Sequence, residues 1–194
     1  MPLDEVGRAQ AAAVSCVLVG LPPYAILSSD LARARDTALE LANACGLPVQ
    51  LDPRLRELDL GAWQGLTARQ AGESFPDEYD AWRAGIDVPR GGGEMYAQAG
   101  ARAVAALQAV PLPEGATLVA VTHGGTARAA LAALLELPHE LSWRLAPLGN
   151  ACWSVLVEAD RGWRLERHNT GLGSPLGAPE GAQDVGGQTA ERTL

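Results

Sequence analysis

Lysine is absent from the 194 residues, and all fifteen basic positions are arginine. That excludes chemistry needing a lysine amine, such as a pyridoxal Schiff base or a Walker-type phosphate loop. A phosphate clamp in this chain must therefore be assembled from arginine, histidine and backbone N–H groups. Cysteine is scarce as well. Cys16, Cys45 and Cys152 are odd in number, far apart and set in apolar runs. They read as core thiols in a reducing cytoplasm, neither a disulfide frame nor a metal site. No stretch has the uninterrupted apolar length of a membrane span, and no basic-start signal peptide is read. There is no basic stripe either, and a net charge of −8 argues against nucleic acid and anionic membranes as partners. An anionic substrate must be held by a local cluster. Aromatics make up only 5% of the chain, but its 47% hydrophobic content is enough for the core of one globular domain.

Helical and strand patterns alternate along the chain, which predicts a layered α/β domain. Asp4 to Leu18 has apolar residues at Val6, Ala9, Ala13, Val14 and Val17, near helical spacing, and opens at Asp4. Tyr24 to Leu27 reads as a strand. Asp30 is expected to cap the next helix, which Gly46-Leu47-Pro48 stops near Cys45. Val49 to Leu51 is a second short strand. Residues 65–92 form a mixed helical excursion, expected to act as a lid over one edge of the sheet. Gly93 to Val110 is helical, with Tyr96, Ala99, Ala103, Val104 and Leu107 on one face. Thr117 to Val121 is a buried strand, followed by a helical run from Thr126 to Glu136. A β pair, Cys152 to Val157 and Trp163 to Arg167, turns at Asp160-Arg161-Gly162. The domain is expected to span 1–170, with 171–194 a disordered tail of Gly, Pro, Ala and polar residues.

Three segments carry the chemistry. The strand ending at Val121 delivers Thr122-His123-Gly124-Gly125 to its carboxyl end, where open parallel sheets bind ligands. Two glycines allow close approach to the backbone, and the following helix N-terminus suits an anion. Arg33 stands early in the helix after Ser28-Ser29-Asp30, at the same edge, where its fork can hold two phosphate oxygens. In isolation it reads as a solvated arginine paired with Asp30 or Asp36. Glu57 lies past a strand end, before the Gly-framed Trp63, and is a candidate general acid. In isolation it reads as an exposed charge paired with Arg54 or Arg56. His123, taken alone, is as readily a polar strand end as a ligand residue. The three together change the balance.

Together with Leu3 to Ala11, Ser28-Ser29-Asp30-Leu31 through Thr37-Ala38, Leu55-Arg56-Glu57 through Gly65, Gly92-Gly93-Glu94 and Val121 to Gly124, the chain resembles the histidine phosphatase, or phosphoglycerate mutase-like, superfamily. Leu60 to Thr67, Leu148 to Ser154 and Gly162 to Leu165 are similar to actinobacterial members of the glucosyl-3-phosphoglycerate phosphatase type. The resemblance implies a three-layer fold with a mostly parallel sheet flanked by helices. It also implies metal-free, cofactor-free hydrolysis of phosphomonoesters of small sugar or phosphoglycerate metabolites through a phosphohistidine. By the same resemblance Glu57 moves the proton, while Arg33, His123 and N–H groups near Gly124 hold the phosphoryl oxygens.

One family element is missing, the Arg-His-Gly motif of the first strand that supplies the nucleophile. His139, in the turn after a helix, and His168, at the last strand's end, read as surface or capping residues. The missing strand is a central one, so strand edges should be open and the chain as written inactive. Met1 is expected to be an internal or misassigned start. Met95 replaces the Ser common after Gly-Gly-Glu, which is expected to alter a hydrogen bond near the lid and the substrate preference. Trp63, Trp82 and Tyr96 flank that lid, as core residues or as a pocket wall. Two other function classes remain: a phosphoglycerate mutase-type isomerase, disfavoured by the short excursion between the Glu57 and Glu94 motifs, and a non-catalytic phospho-ligand binding protein. A homodimer through a sheet edge or a helix face is compatible with the pattern.

Overall fold

A computed structural model of the chain describes residues 1–172; the tail expected at 171–194 lies, beyond Leu172, outside the described residues. Helix α1 (Glu5–Leu18) opens at Asp4, whose carboxylate accepts the Gly7 N–H at 2.7 Å. Strand β1 (Ala25–Ser28) leads into α2 (Ala32–Cys45), which Gly46 ends in the left-handed conformation, φ 68°. A residue without Cβ adopts that conformation at little cost. Strand β2 (Val49–Leu51) follows. Helices α3 (Ala68–Ser74) and α4 (Pro76–Arg83) make the excursion, and α5 (Tyr96–Gln108) returns the chain to the body. Then come β3 (Leu118–Val121), α6 (Gly124–Leu134), the short α7 (His139–Ser142) and the hairpin of β4 (Trp153–Ala159) and β5 (Gly162–Thr170).

The sheet is parallel, in the order β2-β1-β3, with Ile26 opposite both Val49 and Val119. Alternate residues of β1 face opposite layers, as the strand period requires. Ala25 and Leu27 pack with Leu55, Ala103, Ala106, Val110 and Ala130 on the α5–α6 side. Ile26 packs with Ala38, Leu41 and Ala42 of α2, and with Leu18 of α1, on the other. The expected three layers are therefore present. Alanine-rich faces bring α5 and α6 close, so a Cβ on Gly100 would stand 2.7 Å from the Ala129 carbonyl oxygen.

The described strands fall into two sheets. β3 lies at the edge of its sheet, and β4–β5 forms a separate antiparallel pair. Other expectations fail for identifiable reasons. The face of α1 is misplaced: Ala11, Val14 and Ser15 are buried, while Val6 and Val17 are exposed, because apolar residues surround this helix on nearly every side. Cys16 is exposed, against expectation, and Cys152 is half-buried, while the half-buried Cys45 packs against the Ile26–Leu41 cluster. Asp30 does not cap α2; Leu31 is the N-cap without a side-chain bond, because Asp30 is drawn to Arg56. No described helix is long and apolar enough to cross a membrane.

Candidate active site

His123 is the N-cap of α6, in extended backbone, with its ring buried at the carboxyl end of β3. Arg33, in the first turn of α2, donates from Nε to His123 Nδ1 at 3.1 Å. A guanidinium has only donors, so Nδ1 is the bare nitrogen of the ring. Nε2 then carries the hydrogen and donates to Ser29 Oγ, 2.9 Å away at the end of β1. Burial first, and then the Arg33 charge, push the pKa of His123 down to about 4, so the ring is neutral at pH 7. Neither Asp30 nor Asp36 takes Arg33: Arg56 holds the first and Arg35 the second. Among the described residues the terminal nitrogens of Arg33 meet no acceptor. The fork therefore stays available for two oxygens of a ligand.

Glu57 approaches the same corner from a single 3₁₀ turn, Pro53–Leu55. Its Oε1 accepts the N–H groups of Leu58 at 2.8 Å and Thr126 at 3.0 Å, and Oε2 accepts that of Gly125 at 3.4 Å. The N-terminus of α6, expected to receive a ligand's anion, thus receives largely the Glu57 carboxylate, which the helix dipole and unpaired N–H groups attract. Gly124, at the first helical position, still has an N–H without an intrahelical partner. Gly125 is required for this contact, since a Cβ there would stand 2.8 Å from Glu57 Oε1. The expected arginine partners are engaged elsewhere, Arg54 with Asp52 and Arg56 with Asp30.

Three supporting residues carried no assigned role in the sequence reading. Ser29 accepts from His123. Thr126 Oγ1 donates to the Arg56 carbonyl at 2.8 Å and so ties the Glu57 loop to α6. Arg102 of α5 donates to the carbonyl oxygens of Arg54, Arg56 and Glu57 and pairs with Glu94 on two nitrogens. Ser29 and Glu94 lay within recognised motifs; Arg102 had no local signal, because its partners lie up to 48 residues away. At Met95 the helix start is satisfied by other groups: Gln98 accepts the Met95 N–H, and Asp87 accepts those of Tyr96 and Ala97. The two remaining histidines make no hydrogen bond with Arg33, Glu57 or His123. His139 is half-buried at the start of α7, its ring 5.4 Å from that of Tyr96. His168 bridges Ser154 Oγ and the Ala146 carbonyl oxygen. No cluster of three His, Cys, Asp or Glu side chains suited to a metal occurs among the described residues.

One fixed positive fork, one neutral ring N–H and a carboxylate beside them suit the handling of a phosphoryl group, which needs positioning and charge complementarity. The fold and the site thus define an α/β enzyme of phosphoryl chemistry. Comparison with known proteins narrows the class. The model of the histidine phosphatase superfamily (branch 1) matches residues 1–171. The glucosyl-3-phosphoglycerate phosphatase of Mycobacterium tuberculosis is 42% identical over 163 residues, covering 79% of this chain and 73% of that protein. A probable phosphoglycerate mutase of Yersinia enterocolitica is 39% identical over 150 residues, covering 74% and 68%. The solved mycobacterial glucosyl-3-phosphoglycerate phosphatase superposes with a TM-score of 0.79 at 39% identity, covering 89% of each chain. The chain belongs to the histidine phosphatase superfamily, and its class of activity is that of a phosphatase.

Proposed function

We propose that the corner formed by Arg33, His123 and Glu57 serves the hydrolysis of phosphomonoesters of small metabolites, of the sugar phosphate or phosphoglycerate class. The observation that carries this reading is the Arg33–His123 contact at 3.1 Å, which sets an unspent guanidinium fork beside the ring and the carboxylate. The Mycobacterium tuberculosis relative is named for glucosyl-3-phosphoglycerate, a substrate of this class, and a mycobacterial relative has been solved with inorganic phosphate. Arg33 and the Gly124 N–H hold the phosphoryl oxygens, joined by His123 once its Nε2–H exchanges Ser29 Oγ for a ligand oxygen. Glu57 gives a proton to the departing alkoxide and later takes one from water. The segment 65–92 acts as the lid, and 1–170 as the catalytic domain.

A phosphohistidine route forms an N–P bond as the ester O–P bond breaks, then hydrolyses it. Its nucleophile is not among these residues, because both ring nitrogens of His123 are engaged and His139 and His168 are held elsewhere. We infer that the 194-residue chain holds phosphate without turnover by that route. Hydrolysis of p-nitrophenyl phosphate tests this in the chain as written and in a form extended by an Arg-His-Gly strand. The expected result is turnover in the extended form alone, reduced roughly 10²–10⁴-fold by Glu57→Gln. No turnover in either form would turn the assignment to a phospho-ligand binding protein.

A further inference from the structure

Glu57 stands in a stretch, residues 56–60, that is neither helix nor strand, so no regular element fixes its backbone. Side chains do so instead. Each of the four consecutive carbonyl oxygens from Arg54 to Glu57 accepts from a side chain of another element. Arg102 of α5 donates to those of Arg54, Arg56 and Glu57, Thr122 at the end of β3 donates to that of Leu55 at 2.7 Å, and Thr126 of α6 donates to that of Arg56. A guanidinium has five N–H donors, and Arg102 uses all of them. Nη1 serves two carbonyls, Nη2 serves the Glu57 carbonyl and Glu94 Oε1, and Nε serves Glu94 Oε2 at 2.9 Å. Arg33 is the reverse case, with terminal nitrogens that meet no acceptor among the described residues. Glu94 is tied to the same stretch: its Oε1 accepts the Asp59 N–H at 2.9 Å, and its own N–H donates to the Asp59 carbonyl at 3.0 Å. The two backbones touch there without room for a side chain, since a Cβ on Gly93 would collide with the Asp59 carbonyl oxygen.

The same donors belong to elements that build the site. Thr122 directly precedes His123, so the strand end that places the ring also holds the Glu57 segment. Thr126 holds the segment by its hydroxyl and the carboxylate by its N–H, 3.0 Å from Oε1. Glu57 is therefore fixed at both ends, its backbone by side-chain donors and its carboxylate by the first turn of α6. A connecting segment ordinarily moves more than the elements it joins. A group that gives and takes protons works only within hydrogen-bond reach of the reacting oxygens, and a misplacement of about 1 Å can cost roughly 10²-fold in rate. Resting on the phosphatase reading above, we propose that Arg102, with Thr122 and Thr126, is a positioning residue for Glu57. Glu94 orients Arg102 for that task.

Amide NMR of the 194-residue protein gives the first test. The Gly125 and Thr126 N–H groups bond the Glu57 carboxylate, so Glu57→Gln moves their resonances. Arg102→Met is expected to move them as well, with inorganic phosphate bound within about twofold of the unmodified protein. Turnover of p-nitrophenyl phosphate by the form extended with an Arg-His-Gly strand gives the second. There kcat is expected to fall roughly 10²-fold in Arg102→Met with KM unchanged, and about tenfold in Thr122→Val, which keeps the shape and removes one donor. In a Glu57→Gln background neither substitution costs more than about twofold further, because a residue acting through Glu57 has nothing left to act on. Arg102→Lys, with three donors and no fork, recovers only part of the loss. Amides unmoved in both Arg102→Met and Thr122→Val, or an equal fall in kcat with and without Glu57, would overturn the inference and leave the phosphatase reading intact. Should Arg102→Met unfold and lose phosphate binding, Thr122→Val decides the matter by the same readouts. No turnover by the extended form of the unmodified sequence would overturn both.

Discussion

Strands β1 and β3 are neighbours in one sheet and similar in character, Ala-Ile-Leu-Ser against Leu-Val-Ala-Val, but β1 is buried at all four positions and β3 at none. Hydrophobicity therefore does not separate them. β1 has a ladder partner on each side, whereas β3 has β1 alone among the described residues. The same asymmetry continues into the site. Both hydrogen-bond partners of the His123 ring, the acceptor Ser29 and the donor Arg33, lie on the β1 side. The other flank of β3 is an open edge able to accept a further strand. Half of the site is therefore assembled by packing, and the other half depends on what pairs with β3.

Truncation should expose the contrast most strongly. Ile26→Ala, at a fully buried position, is expected to cost about 3–4 kcal/mol, while Val119→Ala opposite it costs about 1 kcal/mol, both read by urea denaturation. Equal losses would mean that β3 is as enclosed as β1. A pH titration sharpens the difference next. His123 has a folded pKa depressed from 6.5 to about 4, so its contribution is complete above pH 6.5 and is lost as the pH falls through 4. Stability should drop by roughly 3 kcal/mol across that window, and His123→Gln should remove the drop. Asp30 and Asp52 also have lowered pKa values, but their effect falls below 3.8, outside the window. The smallest effect belongs to the exposed Ala120 of β3, where Ala120→Ser should change thermal stability by less than ~0.5 kcal/mol.

What was legible in the sequence was local or came from the motif set. The Asp4 start, the Gly46 stop and the hairpin turn each depend on neighbours within a few residues. Arg33, Glu57 and His123 were readable as a set because each follows an element that ends at the same sheet edge. What was not legible depended on distant competition. Asp30 has the chemistry of a cap, but Arg56, 26 residues on, offers it two charged bonds. Glu57 lies beside two arginines in sequence, but the turn at Pro53–Leu55 delivers it to α6 instead. Met95 cannot cap by itself, and Asp87 reaches the same helix start from the excursion. The alanine-rich helices gave a weak periodic signal, so the buried face of α1 was decided by packing against α2.

The central claim is a neutral His123, bare at Nδ1 under Arg33, beside an unspent guanidinium that receives phosphate. Nitrogen-15 NMR of the ring, recorded against pH with and without inorganic phosphate, tests it most directly. The account predicts an Nε2–H tautomer at pH 7 that stays neutral to about pH 4, with His123 and Arg33 resonances that move on adding phosphate. A ring that is charged at pH 7, with resonances indifferent to phosphate, would contradict it.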